Sequence, residues 1–510
     1  MIRSRNVIPR SVVAVISLAI LLVIAIPPAA AQPAPGPCLN PQVRGCWGPL
    51  LQWNIEAIHS IALKTGKVLI INPSNPNQCR LFDPATDTVG PIFSGPANHW
   101  LFCAGHSQIP DGRIVFAGGI GGGIGGTSLF NPDAVAPAQW STPDAPPAQR
   151  FYPTCTTLAR GNVLVTAGDA GDPNSDTPNT FDAKAPTGLQ WDILVEATFC
   201  DASLSCAPPI YNFHINYYPF MFQLSSGNVL FAGSETLNYD PTSPKTRLLN
   251  PVAETWTDLF AAPDAIIGGS AVHFLPNRVM KAGGYDSTFT VTNQAYTLDM
   301  NAAIPAWVQQ PSMANARQDF YLVAMADGSI LAIGGADQSF QAVLAPERFD
   351  PSALVPGWTP MAPMAVGRLY HSSTVLLPDA RVVIGGGALT TGQVFWPPYL
   401  FDASGNLAPR PTITAAGSRN GIAYGQSFAL HTPDATDIKE VNLVRFGAST
   451  HSFDHDQRFI PLKFSSDLTY LKVAPPETPY DAPPGYYMLF IVNGNGVPSK
   501  AAIVKLQYCI

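Results

Sequence analysis

The sequence predicts an all-β protein, a seven-bladed β-propeller followed by a small antiparallel β-sandwich. Three observations support this fold class. A strand–turn–strand unit rich in glycine occurs seven times, and the chain contains 51 prolines and 42 glycines. Only 12% of the residues are charged, against about 25% in an average soluble domain. Repetition of short strands joined by tight turns is typical of closed β architectures.

The repeated unit is a hydrophobic strand, a polar turn, a second hydrophobic strand and then small residues. A period of about 50 residues, with a glycine pair and a downstream aromatic residue, indicates a kelch-type propeller. An ordinary sandwich array, the alternative, does not account for seven evenly placed units. The copies begin at Leu63, Ile109, Leu158, Leu224, Leu275, Met325 and Leu377.

The repeat stops near Pro409, where the pattern of the chain changes. The runs "EVNLVRFG", "RFIPLKF", "TYLKVAPP" and "GYYMLFIVN" alternate between apolar and polar residues, as half-buried strands do. We therefore expect the propeller to span residues 32–408 and an immunoglobulin-like β-sandwich to span residues 409–510.

The N-terminus is typical of an export signal. Arg3, Arg5 and Arg10 precede an uncharged apolar run, and small residues offer cleavage near Ala31. The alternative is a membrane anchor, but the run is short for a span of about 20 residues. We expect a signal peptide at 1–31 and a secreted or periplasmic mature protein, monomeric and without a membrane span.

Charge and cysteine content narrow the function classes. The net charge is −7 and no basic cluster occurs, which argues against nucleic acid as a partner. Export permits disulfides among the eight cysteines. Cys200 and Cys206 flank a short loop and are the first predicted pair, and Cys38 with Cys46 is the second.

Chemically reactive residues share one level of the predicted propeller. The innermost strands of a propeller converge on its axis, so residues at equal distances from each turn lie close together. Nine residues before the turn glycine or its equivalent, the sequence has Ala57, Cys103, Tyr152, Tyr218, Gly268, Asp319 and His371. Tyr370 is one position away.

Each of these residues has an ordinary interpretation when taken alone. Tyr152 fits a packed core tyrosine, His371 a hydrogen-bonded histidine, and Cys103 a buried small residue or half of a disulfide. Together, imidazole nitrogens and phenol oxygens suit copper(II), which favours tetragonal N,O sites. Such a site needs another nitrogen ligand, for which His451 and His455 are the candidates.

Four segments resemble the copper radical oxidases, the galactose oxidase and glyoxal oxidase family. They are "LFCAG", "QRFYPT", "LYHSSTVLLPDARVVIGGG" and "STHSFDHDQRFIPL". The resemblance implies a thioether between Cys103 and Tyr152, which forms a protein-derived radical cofactor. It also implies one copper ion bound by Tyr152, Tyr370, His371 and His451.

The resemblance further implies the reaction: two-electron oxidation of a small aldehyde, as its hydrate, or of a primary alcohol, with O2 reduced to H2O2. Tyr370 would act as general base and the modified Tyr152 as radical. Neighbours in a regular strand point to opposite faces. Tyr370 and His371 can therefore share a metal only if that strand begins irregularly, which we expect.

The sequence departs from the galactose oxidase branch at two places. No tryptophan occurs in "AGDAGDPNSD", after the glycine of the Tyr152 unit, and no arginine occurs between Cys206 and Gly227. Both absences argue against galactose as the substrate. The segment "RFYP" resembles the glyoxal oxidase branch more closely, which implies a small aldehyde.

Other residues must therefore shield the radical and orient the substrate. Trp100, Phe151 and Tyr218 are the candidates for shielding the Tyr152 ring. Arg317, near the level of the site, either orients a polar or anionic substrate or packs on the solvent side.

Two other functions compete with the oxidase. A non-catalytic kelch propeller that binds glycan or protein would need none of the reactive residues. A hydrolase in the propeller channel would need paired carboxylates, and Asp319 has no acidic partner at its level.

Overall fold

The computed structural model describes residues 35–508, apart from 37, 75, 120–124, 137, 169–171, 201–210, 214, 216, 235–244, 263–267 and 419–420. The predicted signal peptide at 1–31 lies outside the described residues. The predicted Cys200–Cys206 disulfide also lies outside them, because it involves Cys206.

Seven antiparallel sheets follow one another along the described part of the propeller region, and we number them in chain order. The strands are His59–Ala62, Val68–Asn72, Gln78–Asp83, Thr88–Val89 and Phe93–Ser94 in sheet 1; Gly105–Gln108, Ile114–Ala117, Thr127–Phe130 and Trp140–Ser141 in sheet 2; Thr154–Thr157, Val163–Thr166, Asn179–Phe181 and Trp191–Ile193 in sheet 3; Pro219–Gln223, Val229–Ser234, Lys245–Asn250 and Thr255–Ala261 in sheet 4; Ser270–Leu275, Arg278–Ala282, Ala295–Asp299 and Trp307–Gln310 in sheet 5; Gln318–Ala324, Ile330–Ala336, Glu347–Phe349 and Trp358–Pro360 in sheet 6; and Ser372–Leu376, Val382–Gly386 and Thr391–Trp396 in sheet 7. Phe199–Cys200 and Tyr211–Asn212 form a separate parallel pair.

The turn between the first two strands contains a left-handed residue in every sheet. Glycine adopts this conformation without steric cost. Asn277 and Ala380 adopt the same positive φ where glycine is missing, at 60° and 66°. The glycines are Gly66, Gly112, Gly161, Gly227 and Gly328.

The N-terminal end of the described chain completes sheet 7. Cys46–Trp47 and Leu51–Gln52 both pair antiparallel with Thr391–Trp396, the outermost strand of that sheet. A disulfide joins Cys38 to Cys46, which confirms the second predicted pair. The first and last sheets are thereby tied together, and their innermost strands pack against each other.

The C-terminal region is a two-sheet sandwich around its own hydrophobic core. One sheet contains Ala415–Ala416, Phe428–His431, Tyr470–Val473 and Phe464–Ser466, and the other contains Ile422–Ala423, Ala502–Gln507, Gly485–Asn493, Ile438–Arg445 and Phe459–Leu462. Leu430, Leu443, Leu471 and Leu489 are fully buried between them. The all-β prediction, a propeller-like array followed by a β-sandwich, is confirmed at this level.

A hairpin from the C-terminal region enters the propeller. Ala448–Thr450 and Phe453–Asp454 pair with each other, and Ala448–Thr450 extends the inner edge of sheet 1 by pairing with His59–Ala62. The turn is only two residues long, His451 and Ser452, at φ 45° and 65°. Two-residue turns with both φ positive normally contain Asn-Gly, so the sequence accepts backbone strain where it presents His451.

Helical structure is short wherever the chain is described. It consists of an α-helix, Pro41–Arg44, and the 3-10 turns Pro173–Asp176, Val195–Ala197 and Pro398–Leu400. Among the described residues, none of the helices has the length and apolar character required to span a bilayer.

Candidate metal centre

The predicted level of reactive residues coincides with a shared backbone feature. Six of the seven positions are left-handed, and Ala57 is the exception. They are Cys103, Tyr152, Tyr218, Gly268, Asp319 and His371, at φ 64°, 64°, 43°, 69°, 54° and 64°. We call these six positions, together with Ala57, the inner belt. A left-handed conformation costs a non-glycine residue roughly 1–2 kcal/mol, so its repetition indicates that the fold imposes it.

Main-chain hydrogen bonds link neighbouring positions of the belt. Tyr152 N–H donates to the carbonyl of Cys103 at 3.0 Å, and Tyr218 N–H donates to that of Tyr152 at 2.8 Å. Asp319 N–H donates to the carbonyl of Gly268 at 3.1 Å. These bonds run from sheet to sheet around the axis and place the belt residues beside one another.

Tyr370 and His371 lie on the same side of the chain, as the irregular strand start predicts. The innermost strand of sheet 7 begins only at Ser372, and His371 is left-handed. The two rings are 4.1 Å apart between centroids and inclined by 31°. The break in the pleat therefore lets adjacent residues face one point.

His451 reaches the belt from the hairpin tip. Its ring centroid is 4.9 Å from that of Tyr152, 5.4 Å from Tyr370 and 4.8 Å from His371. Its Nε2 atom is 3.8 Å from Sγ of Cys103. The Oη atoms of Tyr152 and Tyr370 are 3.0 Å apart. The five residues predicted for the site thus form one cluster.

His455, the alternative ligand, lies in a different environment. Its ring stacks on His106 at 5.1 Å and 19°, and its Nδ1 accepts a hydrogen bond from Cys155 N–H at 3.4 Å. It is buried, and its ring lies 5.5 Å from that of Tyr218. His451 is therefore the histidine of this segment that joins Tyr370 and His371.

A hydrogen-bond chain fixes the tautomer of His451. The Thr450 hydroxyl donates to the carbonyl of Ile58 at 3.1 Å, so it accepts from Nδ1–H of His451 at 2.6 Å. Nε2 then carries a lone pair, and it is the nitrogen that faces Cys103. In many proteins a hydrogen bond from the other ring nitrogen orients a metal-bound histidine in the same way.

Both histidines of the cluster are neutral near pH 7. Burial lowers the pKa of His371 to about 4. Burial, and then repulsion from His371, lowers the pKa of His451 well below its usual range. Nε2 of His371 is buried and has no hydrogen-bond partner among the described residues. A buried polar atom without a partner is costly, and a bound metal ion would satisfy it.

The donor set fits copper(II). Two neutral imidazole nitrogens and two phenol oxygens are the kinds of N and O donor that this ion favours. In the part of the chain that the structure describes, no group of three or more His, Cys, Asp or Glu side chains is arranged to hold a metal. The candidate site thus depends on its tyrosine oxygens.

Aromatic side chains enclose the Tyr152 ring. Phe151 lies 4.1 Å away at 41°, and Tyr218 lies 4.9 Å away at 56°. Tyr217, which the sequence did not identify, lies at 5.2 Å and 59°. Tyr217 comes one residue before the belt position Tyr218, as Phe151 comes one residue before Tyr152. This equivalent position in the repeat could have identified Tyr217 from the sequence.

Trp100, the third residue predicted to shield the Tyr152 ring, packs on a different aromatic ring. Its indole packs on Phe102 at 6.3 Å and donates to the carbonyl of Pro73. Phe102 in turn contacts His371 edge-on at 5.3 Å. Of the three predicted shielding residues, Phe151 and Tyr218 contact the Tyr152 ring.

The prediction for Arg317 is wrong in both of its forms. The side chain is fully buried, so it neither packs on the solvent side nor reaches a substrate. Its Nη2 atom is 2.6 Å from Oε1 of Glu347 and also donates to the carbonyl of Ala345. Burial of both partners makes this a structural ion pair of sheet 6.

A second group of histidines lies next to the cluster, and two of its members, His59 and His106, were not identified from the sequence. Nδ1 of His59 is 3.0 Å from Nε2 of His106, and the ring of His59 is 6.1 Å from that of His451. With His455 they form what we call the lower histidine group. Burial lowers the pKa of His59 and of His455 to about 3. Counting two or three residues onward from the belt positions in sheets 1 and 2 would have found His59 and His106.

Comparisons with known proteins agree with this geometry. Residues 410–506 match the family model "Galactose oxidase-like, Early set domain". The chain is 28% identical to a galactose oxidase of Gibberella zeae over 494 residues, which cover 91% of this chain and 70% of that protein. It is 26% identical to the aldehyde oxidase GLOX1 of Arabidopsis thaliana over 465 residues, covering 79% and 71% of the two chains.

A solved structure shows the same fold. A fungal alcohol oxidase of the AA5 family, determined in complex with copper, superposes with a TM-score of 0.77. It shares 24% sequence identity, and the match covers 91% of this chain and 99% of that one. This match shows the fold, and the two oxidase relatives confirm that the chain resembles the galactose oxidase and glyoxal oxidase family.

Proposed function

We propose that the chain is a copper radical oxidase that oxidises a small primary alcohol, or an aldehyde as its hydrate, and reduces O2 to H2O2. The observation that carries the proposal is the cluster itself. Three propeller sheets and a hairpin of the C-terminal region bring Cys103, Tyr152, Tyr370, His371 and His451 together. A glycan- or protein-binding propeller has no need of this arrangement.

In this proposal Tyr152, Tyr370, His371 and His451 hold one copper ion. When bound, copper(II) supplies an acceptor for one electron and a Lewis acid for the substrate oxygen. Oxidation of an alcohol removes two electrons, so the chain itself must accept the other one.

Tyr152 is the proposed second acceptor. A thioether forms when the Cys103 S–H and one ring C–H of Tyr152 are lost and a C–S bond takes their place. Two electrons and two protons leave, and dioxygen accepts them as hydrogen peroxide. The modified ring then loses and regains one electron in each catalytic cycle, with Phe151, Tyr217 and Tyr218 limiting its access to water.

Tyr370 is the proposed general base. Its Oη takes the proton of the substrate hydroxyl, and the Tyr152 radical takes the hydrogen atom from the reacting carbon. The Oη atoms are 3.0 Å apart, so both transfers occur on one small substrate group. His371 and His451 are uncharged, and the bond to Thr450 leaves the lone pair of His451 on Nε2, which keeps that nitrogen available as a ligand.

The remaining predictions accompany this function as proposals. We propose that the seven sheets are the blades of one propeller over residues 32–408, and that residues 409–510 form the immunoglobulin-like domain. We also propose export after cleavage of residues 1–31, and a monomeric mature enzyme.

The experiment is a peroxide-release assay on the copper-loaded full chain. Glyoxal, glycolaldehyde, galactose and benzyl alcohol are offered, and peroxide is detected with a coupled peroxidase. We expect turnover of at least one substrate and a loss of at least about 100-fold in His451→Ala. His431→Ala, at an exposed histidine of the sandwich, is the control and should match the wild type. A fully copper-loaded wild type that releases no peroxide from any substrate would refute the proposal.

A further inference from the structure

The mouth of the site has two chemically different sides. Aromatic rings line one side: Phe102 contacts His371, while Phe151 and Tyr217 contact Tyr152. On the other side of His371, the belt position of sheet 6 is a carboxylic acid, Asp319. Asp319 is neither a proposed copper ligand nor one of the proposed catalytic residues.

Packing of sheets 6 and 7 places Asp319 beside the cluster. Oη of Tyr321, on the innermost strand of sheet 6, donates to the carbonyl of Ser372 on the innermost strand of sheet 7 at 2.6 Å. Asp319 lies two residues before Tyr321, and His371 lies one residue before Ser372. Both adopt the left-handed belt conformation, so they occupy adjacent positions around the axis.

The carboxyl group of Asp319 is half-buried and uncommitted. Its main-chain N–H bonds to Gly268, but its side chain has no hydrogen bond or ion pair among the described residues. Burial raises its pKa to about 7. Burial, and then the charge of Asp319, raises the pKa of Tyr285 in the loop after the second strand of sheet 5. The carboxyl group of Asp319 therefore lies near the loop that carries Tyr285.

The other polar side chains of this segment are already occupied. Arg317 is paired with Glu347, and Nε2 of Gln318 donates to the carbonyl of Asp337 at 3.4 Å. The acid in the comparable part of sheet 1, Glu56, accepts a hydrogen bond from Ala388 N–H at 2.6 Å. Asp319 differs from these groups in having its acceptor oxygens available.

We propose that Asp319 selects the substrate, by accepting a hydrogen bond from a second donor group several bonds from the reacting carbon. The donor is a hydroxyl or an ammonium group, and both share the chemistry that a carboxyl recognises. This inference rests on the proposed oxidase function. It identifies diols, amino alcohols and hydrated hydroxyaldehydes as the favoured class, and substrates with a remote carboxylate as disfavoured because like charges repel.

The test compares four substrates with the same carbon chain: 1-butanol, 1,4-butanediol, 4-amino-1-butanol and 4-hydroxybutyrate. In the wild type we expect kcat/KM for the diol and the amino alcohol to exceed that for 1-butanol by at least about tenfold, the range for a hydrogen bond to a charged group. Asp319→Leu should remove this preference and change kcat/KM for 1-butanol by less than about threefold. Asp319→Asn should keep part of the diol preference and lose that for the amine.

Glu56→Gln is the matched control, since that acid is already hydrogen-bonded, and it should leave every ratio unchanged. Binding to the copper-free protein supplies a readout that does not depend on turnover. Titration calorimetry should show 4-amino-1-butanol binding more tightly than 1-butanol to the wild type, and equally to Asp319→Leu.

The outcomes separate the inference from the function on which it rests. If the wild type oxidises all four substrates with similar kcat/KM, or if Asp319→Leu lowers all four values in parallel, the inference is wrong and the oxidase stands. If no substrate is oxidised but the binding difference appears and requires Asp319, the oxidase proposal fails and the recognition role is supported. If neither turnover nor a binding difference appears, both fail.

Discussion

The candidate metal-binding cluster and the lower histidine group both contain histidines, but in different surroundings. In the cluster, His371 and His451 face two phenol rings at the mouth of the axis. In the lower group, His59 and His106 bond to each other at 3.0 Å, and His455 stacks on His106. All five imidazoles are kept neutral by burial.

Neutrality therefore does not distinguish a metal ligand from a structural histidine in this protein. The differences are the phenol oxygens beside the cluster and the tautomer of His451 that Thr450 fixes. Both groups leave ring nitrogens without a partner in the described chain: Nε2 of His371 in the cluster, and Nε2 of His59, Nδ1 of His106 and Nε2 of His455 in the lower group. Only the cluster also has phenol oxygens beside these nitrogens. Variants of the two groups should consequently fail in different ways.

The largest difference is expected in copper binding. His371→Ala removes a proposed ligand and should weaken copper affinity by at least about 100-fold. His455→Gln should retain one copper per chain. Metal content after dialysis against a competing chelator measures both. Equal retention of copper by the two variants would contradict the assignment of the upper cluster.

Thr450→Val tests the tautomer of His451 and should have a smaller effect. The hydroxyl that accepts from Nδ1–H is lost while the shape is kept, so copper affinity should fall by about 10- to 100-fold. Thr374→Val removes another buried hydroxyl, which donates to the carbonyl of Val383 at 2.8 Å and not to a histidine. That control should bind copper as the wild type does.

Acid should destabilise the metal-free protein through the lower group. The folded pKa of His59 and His455 is about 3, below the usual value of 6.5. The unfolded chain therefore binds protons first, and stability present above pH 6.5 is lost as the pH falls toward 3. At pH 5 the loss is about 2 kcal/mol for each histidine.

Denaturant unfolding at pH 7.5 and pH 5 measures this loss. His455→Gln removes one titrating group and should show a shallower pH dependence than the wild type. His431→Gln, at an exposed position, should not. A wild-type unfolding free energy that is unchanged between the two pH values would show that these histidines are not held neutral.

The smallest expected effect concerns shielding of the radical. Phe151 contacts the Tyr152 ring, whereas Trp100 packs on Phe102. Loss of one aromatic contact is worth about 0.5–1.5 kcal/mol, so Phe151→Ala should shorten the lifetime of the oxidised, radical-containing form by about two- to tenfold. Trp100→Ala should leave it nearly unchanged. Decay of the radical absorbance in copper-loaded protein decides between them.

Much of the architecture and the cluster could be predicted because the propeller repeats. The inner belt was found by counting the same number of residues back from each turn. The left-handed backbone that six of its positions share confirms that they are structurally equivalent. Side chains alternate between the two faces of a regular strand. Adjacent residues such as Tyr370 and His371 can therefore face one site only if the backbone is irregular, and the structure has this irregularity at His371. The Cys38–Cys46 pair followed from its short separation.

The misses have a common cause, since each depends on partners from elsewhere in the chain. Arg317 was misjudged because Glu347, from another strand of sheet 6, neutralises it inside the fold. His59 and His106 come from different sheets, and only their packing makes them a group. The count within one repeat locates a residue along the axis but does not reveal what the neighbouring sheet places against it.

The central claim is that Cys103 and Tyr152 serve one copper site as a joined pair, and peptide mapping tests it most directly. Copper- and oxygen-treated protein is reduced with excess dithiothreitol, alkylated and digested with trypsin. Residues 81–113, with Cys103, and residues 151–160, with Tyr152, should appear as one species lighter by two hydrogens than the two peptides together. Reduction excludes a disulfide to Cys155 in the second peptide, and Cys103→Ser should release the peptides separately. Recovery of both as separate, fully alkylated peptides from copper-loaded wild type would contradict the account.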